Sequence, residues 1–164
     1  MSELTDKGIV NVRVDERLIH GQVATMWTNS LKTTRIMVVD DRVVKNSIEK
    51  MALKTAVPSG IKLSILTAKG AAERINAGNY IGQRVFLLVK APQTLKKLLD
   101  GGVPLELVNV GNMSQKDGAK SVKKSVAVTD DDIETFHYLD QKGVRLVAQM
   151  VPSENAEDFM KLLK

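Results

Sequence analysis

Val14-Asp15-Glu16-Arg17-Leu18-Ile19-His20-Gly21-Gln22-Val23 is the stretch on which the reading of this chain turns. An apolar run from Ile9 to Val14 leads into it, and a helical pattern leaves it. Two carboxylates, an arginine and a histidine lie between, followed by Gly21. That order predicts a strand, a loop and the start of a helix. Arg17 and His20 are then expected at the mouth of a sheet. The N–H groups of Gly21 and Gln22, in the helix's first turn, are unpaired beside them. Such a place suits a phosphoryl group.

Outward from this stretch, apolar runs rich in branched residues alternate with helical patterns. The helix over residues 21–31 carries Val23, Met26, Trp27 and Leu31 at i, i+3, i+4 and i+8. Further strands are expected over residues 35–39, 62–66, 84–89, 105–110, 122–128 and 144–150. The sixth of the seven, around Lys123-Lys124-Ser125, reads as edge-like. Val44, Ile48, Met51 and Ala52 mark a helix to about Val57. Thr67 can cap a helix over 68–77, and Pro92 suits the first turn of one carrying Leu95, Leu98 and Leu99. Residues 114–120 read as a polar loop. Thr129-Asp130-Asp131-Asp132 is a strong helix start running to about Lys142. Ser153-Glu154 opens a terminal helix with Phe159, Leu162 and Leu163 on one face.

The alternation predicts an α/β fold. The expected form is a single domain over residues 1–164, with an open, mostly parallel seven-stranded sheet and helices on both faces. Right-handed crossovers gather the loops after the strands along one edge. That edge collects Arg17 and His20, Asp40-Asp41, Thr67, Lys90 and Gly111-Asn112.

Composition narrows the chemistry. Hydrophobic residues make up 43% of the 164 residues and aromatics 4%, so the core must be built from Val, Ile, Leu and Met. There is no cysteine, which excludes disulfides, thiolate metal sites and cysteine nucleophiles. With two histidines, a polyhistidine metal site is not expected, and neither a metal nor another cofactor is called for. The net charge of +5 fits a solvated surface or a face that meets acidic partners. The lysines are scattered with few aromatics among them, which argues against nucleic acid. The first residues lack the apolar core of a secretory signal. No apolar run approaches the roughly 20 residues that span a bilayer. A cytoplasmic location is expected.

His20 is the nucleophile candidate with suitable neighbours. A neutral imidazole is nucleophilic near pH 7 and carries a phosphoryl group well. Arg17, three residues earlier, offers a planar fork for phosphate oxygens. Asp15 suits the orientation of Arg17 or of a histidine nitrogen better than service as a base, because a carboxylate beside bound phosphate would repel it. Small residues at Gly111-Asn112-Met113 would let backbone donors face the phosphate, and Thr67 joins the same edge. His137 reads as a surface residue, Trp27 as a core anchor, and Asp40-Asp41 as helix caps. Three other readings compete. His20 can be purely structural; Asp40-Asp41 with Lys90 can form a receiver-like signalling domain; or the fold can serve as a catalytically silent scaffold.

Over Val12-Arg13-Val14-Asp15-Glu16-Arg17-Leu18-Ile19-His20-Gly21-Gln22-Val23 the chain resembles the IIB subunits of the mannose/fructose/sorbose family of the bacterial sugar phosphotransferase system. Val108-Asn109-Val110-Gly111-Asn112-Met113 is similar to a second family segment, with Asn112 where glycine is common. Residues 128–132, Gly143-Val144 and Val151-Pro152 also fit. The likeness covers nearly the whole chain, at single-domain length with no attached IIA domain. It implies a seven-stranded, mainly parallel sheet. It also implies a phosphocarrier that accepts a phosphoryl group from a IIA phosphohistidine onto His20, at Nδ1. The group then passes to a sugar translocated by the membrane subunits IIC and IID, which would hold the chain at the inner face of the membrane. Arg17 matches the family's phosphate-contacting arginine. The sugar (mannose, fructose, sorbose, N-acetylgalactosamine or another) stays open.

Overall fold

The computed structural model describes residues 2–163. In chain order the elements are α1 (Glu3–Asp6), β1 (Ile9–Asp15), α2 (Gly21–Leu31), β2 (Arg35–Val39), α3 (Ser47–Ala56), β3 (Lys62–Leu66), α4 (Ala68–Asn76), β4 (Val85–Val89) and α5 (Pro92–Asp100). They continue with β5 (Leu107–Asn112), β6 (Lys120–Lys123), β7 (Val126–Val128), α6 (Asp130–Gln141), β8 (Arg145–Ala148), β9 (Glu157–Asp158) and α7 (Phe159–Leu162). The main sheet has seven strands in the order β3-β2-β4-β1-β5-β8-β9. All its pairings are parallel except β8 with β9. Among the described residues no helix is long and apolar enough to cross a membrane.

Strand alternation sorts the apolar side chains into two cores. Val12, Val14, Met37, Val39, Leu87, Val89, Val108 and Val110 face one way, under α4, α5, α6 and α7. Ile36, Val38, Phe86 and Leu88 face the other way, under α2 and α3. Full burial of a side chain such as Phe86 or Leu88 contributes roughly 1.5–3 kcal/mol. The helices start where their caps direct. Thr67 accepts from the Gly70 N–H, and Thr129 with Asp132 forms a reciprocal capping box. The neighbouring strands β1 and β4 are followed by α2 and α5, which pack on opposite faces of the sheet. The strand order therefore reverses beside β1, and the crevice opens at the carboxyl end of that strand.

Several elements differ from the sequence reading. Residues 122–128 do not form a strand of the main sheet. Lys124-Ser125 turns the chain, and β6 and β7 make a separate antiparallel hairpin. The seventh strand is instead β9, two residues long. The terminal helix does not start at Ser153-Glu154, because the Glu154 carboxylate accepts the Met150 N–H at 2.7 Å and ties down a loop. Residues 157–158 then pair with β8 before α7 begins. Met51 and Ile48 on α3 are 63% and 83% exposed, so that helix buries Leu53 and turns the expected stripe to solvent. The short α1 has no counterpart in the expected pattern.

Candidate functional site

The site is built outward from β1. Val12 and Val14 enter the apolar core, so alternation sends Asn11, Arg13 and Asp15 to the opposite face. Asp15 closes the strand and is 1% exposed. Its carbonyl accepts the Leu18 N–H at 2.9 Å, which turns the loop back on itself. Leu18 adopts φ 58, a left-handed conformation that costs a residue with a Cβ roughly 1–2 kcal/mol. Burial of the Leu18 and Ile19 side chains in the core beneath α2 offsets this cost and pins the loop. His20 follows in extended backbone, φ −150, as the residue before α2, and makes no side-chain cap bond. Its imidazole is free for other work.

That work is set by Asp15. The Oδ1 atom accepts the Arg17 backbone N–H at 3.0 Å. The Oδ2 atom lies 3.2 Å from His20 Nε2 and 3.4 Å from both Nε and Nη2 of Arg13. A carboxylate oxygen facing Nε2 suits the tautomer that carries its proton there and keeps the lone pair on Nδ1. The His20 side chain is 22% exposed. The Arg17 guanidinium is half-exposed, with Nε 3.8 Å from Asp15 Oδ1, and stands clear to meet an anion. Gly21 and Gln22 are exposed at the start of α2, whose first turn has no acidic residue. Their N–H groups lack intrahelical partners. The loop thus brings an imidazole, a guanidinium and a helix N-terminus together.

Glu16 does not oppose this charge. Its carboxylate takes Lys116 at 3.1 Å and the Ser114 hydroxyl. Its backbone N–H donates to Asn112 O at 3.0 Å, fastening the loop to β5.

The other residues read from the sequence divide between the floor of this site and more distant places. Thr67 follows β3, which is separated from β1 by β2 and β4, and its hydroxyl is engaged by the Gly70 N–H. Three strand spacings of about 4.8 Å put it outside hydrogen-bonding reach of the His20 loop. Gly111 is buried, and its missing side chain makes room for Arg13: a Cβ there would lie 2.0 Å from Nη2. Asn112 pairs with Asp15 across β1 and β5, and its buried Oδ1 has no hydrogen-bond partner. Asp40 accepts from the N–H groups of Arg42 and Val43. Asp41 accepts from the Ala68 N–H and from Lys97, and Lys90 pairs with Glu49 at 2.5 Å. These are caps and surface pairs, not a receiver-like acidic site. His137 is exposed on α6, and Trp27 is buried.

The sequence reading gave no role to Arg13 or to its partners Asn109 and Gln149. Arg13, 1% exposed, donates through Nη1 to Asn109 Oδ1 at 2.9 Å and Gln149 O at 2.8 Å. Through Nη2 it donates to Met150 O at 3.0 Å. Its Cζ lies 5.1 Å from the centre of the Trp27 ring, and Trp27 Nε1 donates to the same Met150 carbonyl at 2.9 Å. Asn109 Nδ2 donates to Gln149 Oε1 at 3.2 Å. Burial pushes the Arg13 guanidinium below its ordinary pKa, and the Asp15 charge opposes that shift. An arginine between two valines in an apolar run was the available signal.

These features define a class: an open α/β domain with a carboxylate-oriented histidine at the point where strand order reverses. Comparison with known proteins then narrows it. Residues 9–164 match the family described as the sorbose subfamily IIB component of the phosphotransferase system. The fructose-specific EIIB component of Bacillus subtilis is 35% identical over 156 residues, covering 95% of this chain and 96% of that one. The mannose-specific EIIAB component of Escherichia coli K12 is 36% identical over 151 residues, 92% of this chain and 47% of the longer relative. The crystal structure of the IIBSor domain of the Klebsiella pneumoniae sorbose permease superposes with a TM-score of 0.90. It is 30% identical, covering 94% of this chain and 95% of that one. The chain belongs to the sorbose-subfamily IIB components of the phosphotransferase system. IIB components are phosphotransferase components of sugar transport.

Proposed function

We propose that this chain is a phosphocarrier and that Nδ1 of His20 carries the group. The observation that supports it most is the 3.2 Å approach of His20 Nε2 to Asp15, which leaves Nδ1 as the ring's nucleophilic atom. In the first step the Nδ1 lone pair forms a bond to phosphorus. The N–P bond of a IIA phosphohistidine breaks, and its electron pair returns to the donor nitrogen. The His20 ring becomes cationic, with its Nε2 proton still facing the Asp15 carboxylate, which stabilises that charge. In the second step a sugar hydroxyl oxygen bonds to phosphorus, the His20 Nδ1–P bond breaks with its electron pair returning to Nδ1, the hydroxyl proton passes to solvent, and His20 returns to the neutral form. Phosphoryl transfer has a loose transition state and needs alignment and positive charge. Arg17 and the N–H groups of Gly21 and Gln22 supply both, without metal or nucleotide.

The donor is a IIA subunit or domain; the mannose-specific EIIAB relative, as its name says, joins IIA and IIB in one chain. The acceptor sugar is presented by membrane subunits IIC and IID, which hold this chain, residues 1–164, at the cytoplasmic face. Relatives specific for fructose, mannose and sorbose share this fold, and the sugar is expected to be chosen by the membrane subunits that bind it.

The test is incubation with a phosphorylated IIA partner followed by mapping of the labelled residue by mass spectrometry. Label is expected on His20, labile in acid and stable in base. His20→Ala should remain folded, because a loop imidazole outside both apolar cores contributes little packing, and it should accept no label. Label on His137, Asp40 or Asp41, or label retained by His20→Ala, overturns the reading.

A further inference from the structure

We propose that Arg13 is a positioning residue for phosphoryl transfer: locked beneath Trp27, it holds the Asp15 carboxylate in the orientation that leaves His20 Nδ1 as the nucleophile. The inference rests on the assignment of His20 as the carrier. Arg13 touches neither the donor nor the reacting nitrogen, so its effect must travel through Asp15.

A buried charge is costly to desolvate by several kcal/mol, and an apolar side chain would serve the sheet as well. Yet β1 places a buried arginine between two buried aliphatics, Val12 and Val14, that face the other way. All three guanidinium nitrogens are engaged. Nη1 is held by Asn109 Oδ1 and Gln149 O, and Nη2 by Met150 O. The remaining side of the fork, Nε with Nη2, faces Asp15 Oδ2. The indole of Trp27 covers the group, and Gly111 leaves the space it occupies. The anchors come from β5 and from the segment after β8, so the guanidinium is fixed to the sheet rather than to the loop. Asp15 is thereby gripped from the rigid side by Arg13 and from the loop side by the Arg17 N–H. His20 meets the same Oδ2 that Arg13 holds. Without the fork, the carboxylate can rotate and Oδ2 no longer has a fixed place, so the two neutral forms of the imidazole both become populated.

A purely structural Arg13 would change stability and leave the tautomer alone, and this separates the two roles. The variant is Arg13→Lys, which keeps the charge and loses the fork. Two-bond proton–nitrogen correlation spectra, recorded at a pH where His20 is neutral, read which ring nitrogen carries hydrogen. Transfer is measured with potassium phosphoramidate, a small N–P donor that removes docking from the comparison. Wild type is expected to hold the Nε2–H form and to take the phosphoryl group at Nδ1. Arg13→Lys is expected to fold, to show both tautomers, and to react about ten- to hundredfold more slowly. A wild-type tautomer and rate in Arg13→Lys overturns the proposal. If the lysine variant does not fold, Asn109→Ala, which removes one anchor of Nη1, is expected to show a smaller loss of rate with the same mixing of tautomers. Its unchanged rate and tautomer would be equally decisive against the proposal. Absence of label on His20 in wild type removes the carrier assignment and this inference with it, whereas label on His20 with an indifferent Arg13 removes the inference alone.

Discussion

Replacing Gly111 with alanine tests whether that glycine serves the phosphate or serves Arg13. A Cβ at 111 would sit 2.0 Å from Arg13 Nη2, 2.1 Å from Cζ and 2.5 Å from Nη1. Such distances cannot stand, so either the guanidinium or β5 must move. The guanidinium is held by Asn109 Oδ1, Gln149 O and Met150 O at 2.8–3.0 Å. Moving it about 1.5 Å breaks at least two of these. Hydrogen bonds from a charged donor contribute about 1.5–3 kcal/mol each, which gives about 3–6 kcal/mol of destabilisation. Gly111 is not among the glycines with positive φ, so no backbone term adds to this. Domains of this size have total stabilities of about 5–15 kcal/mol, so the variant should be close to unfolding. The assay is urea denaturation of Gly111→Ala, of Arg13→Ala and of the double variant. Much of the loss should vanish when alanine 111 is introduced into the Arg13→Ala background, because the clash then has no partner. A Gly111→Ala loss under about 1 kcal/mol, or additivity in the double variant, refutes the packing argument. Normal stability with impaired transfer would return Gly111 to the role of phosphate donor.

Arg17→Lys should leave the fold intact, since the side chain is half-exposed, and should slow phosphoryl acceptance about ten- to hundredfold, because an ammonium cannot make the paired contact. Transfer rates at matched stability check this, and a wild-type rate removes Arg17 from the mechanism. Glu154 is held below its ordinary carboxyl pKa of 4.5, first by the Met150 N–H and then by Lys123. A depressed folded pKa means that its stabilising contribution is complete above the unfolded value and is lost as pH falls through the folded one. The stability difference between wild type and Glu154→Gln should therefore be largest above about pH 4.5 and shrink in more acid solution. A difference independent of pH from 3 to 7 would detach Glu154 from that ion pair.

The alternation of β1, α2 and β2 was legible because each element carries its own period, and parallel strands buried on both faces read as continuous apolar runs. Local signals also placed the caps: Thr67, Thr129 and Pro92 act within one turn of themselves. The misreadings share a cause. The turn at Lys124-Ser125 splits a run whose two halves look like one strand, and the hairpin's place is set by tertiary contacts, among them the bridge from Met113 to Val126. β9 has two residues and no periodicity; it exists because Glu154 ties back to Met150 and delivers residues 157–158 to β8. Thr67 was grouped with His20 because both follow strands, but strand order put β2 and β4 between them.

By itself the sequence determined the α/β alternation, the strand–loop–helix that carries Arg17 and His20, and the chemistry open to a chain without cysteine. These are local properties, written in periods, caps and composition. The tertiary structure decided which nitrogen of His20 is free, what Asp15 faces, and why Arg13 is tolerated inside the sheet. Arg13 meets partners 96, 136 and 137 residues away. A residue's burial and the direction of its hydrogen bonds depend on which strands lie beside it. Strand order is set by packing between distant segments, and no window of sequence contains it.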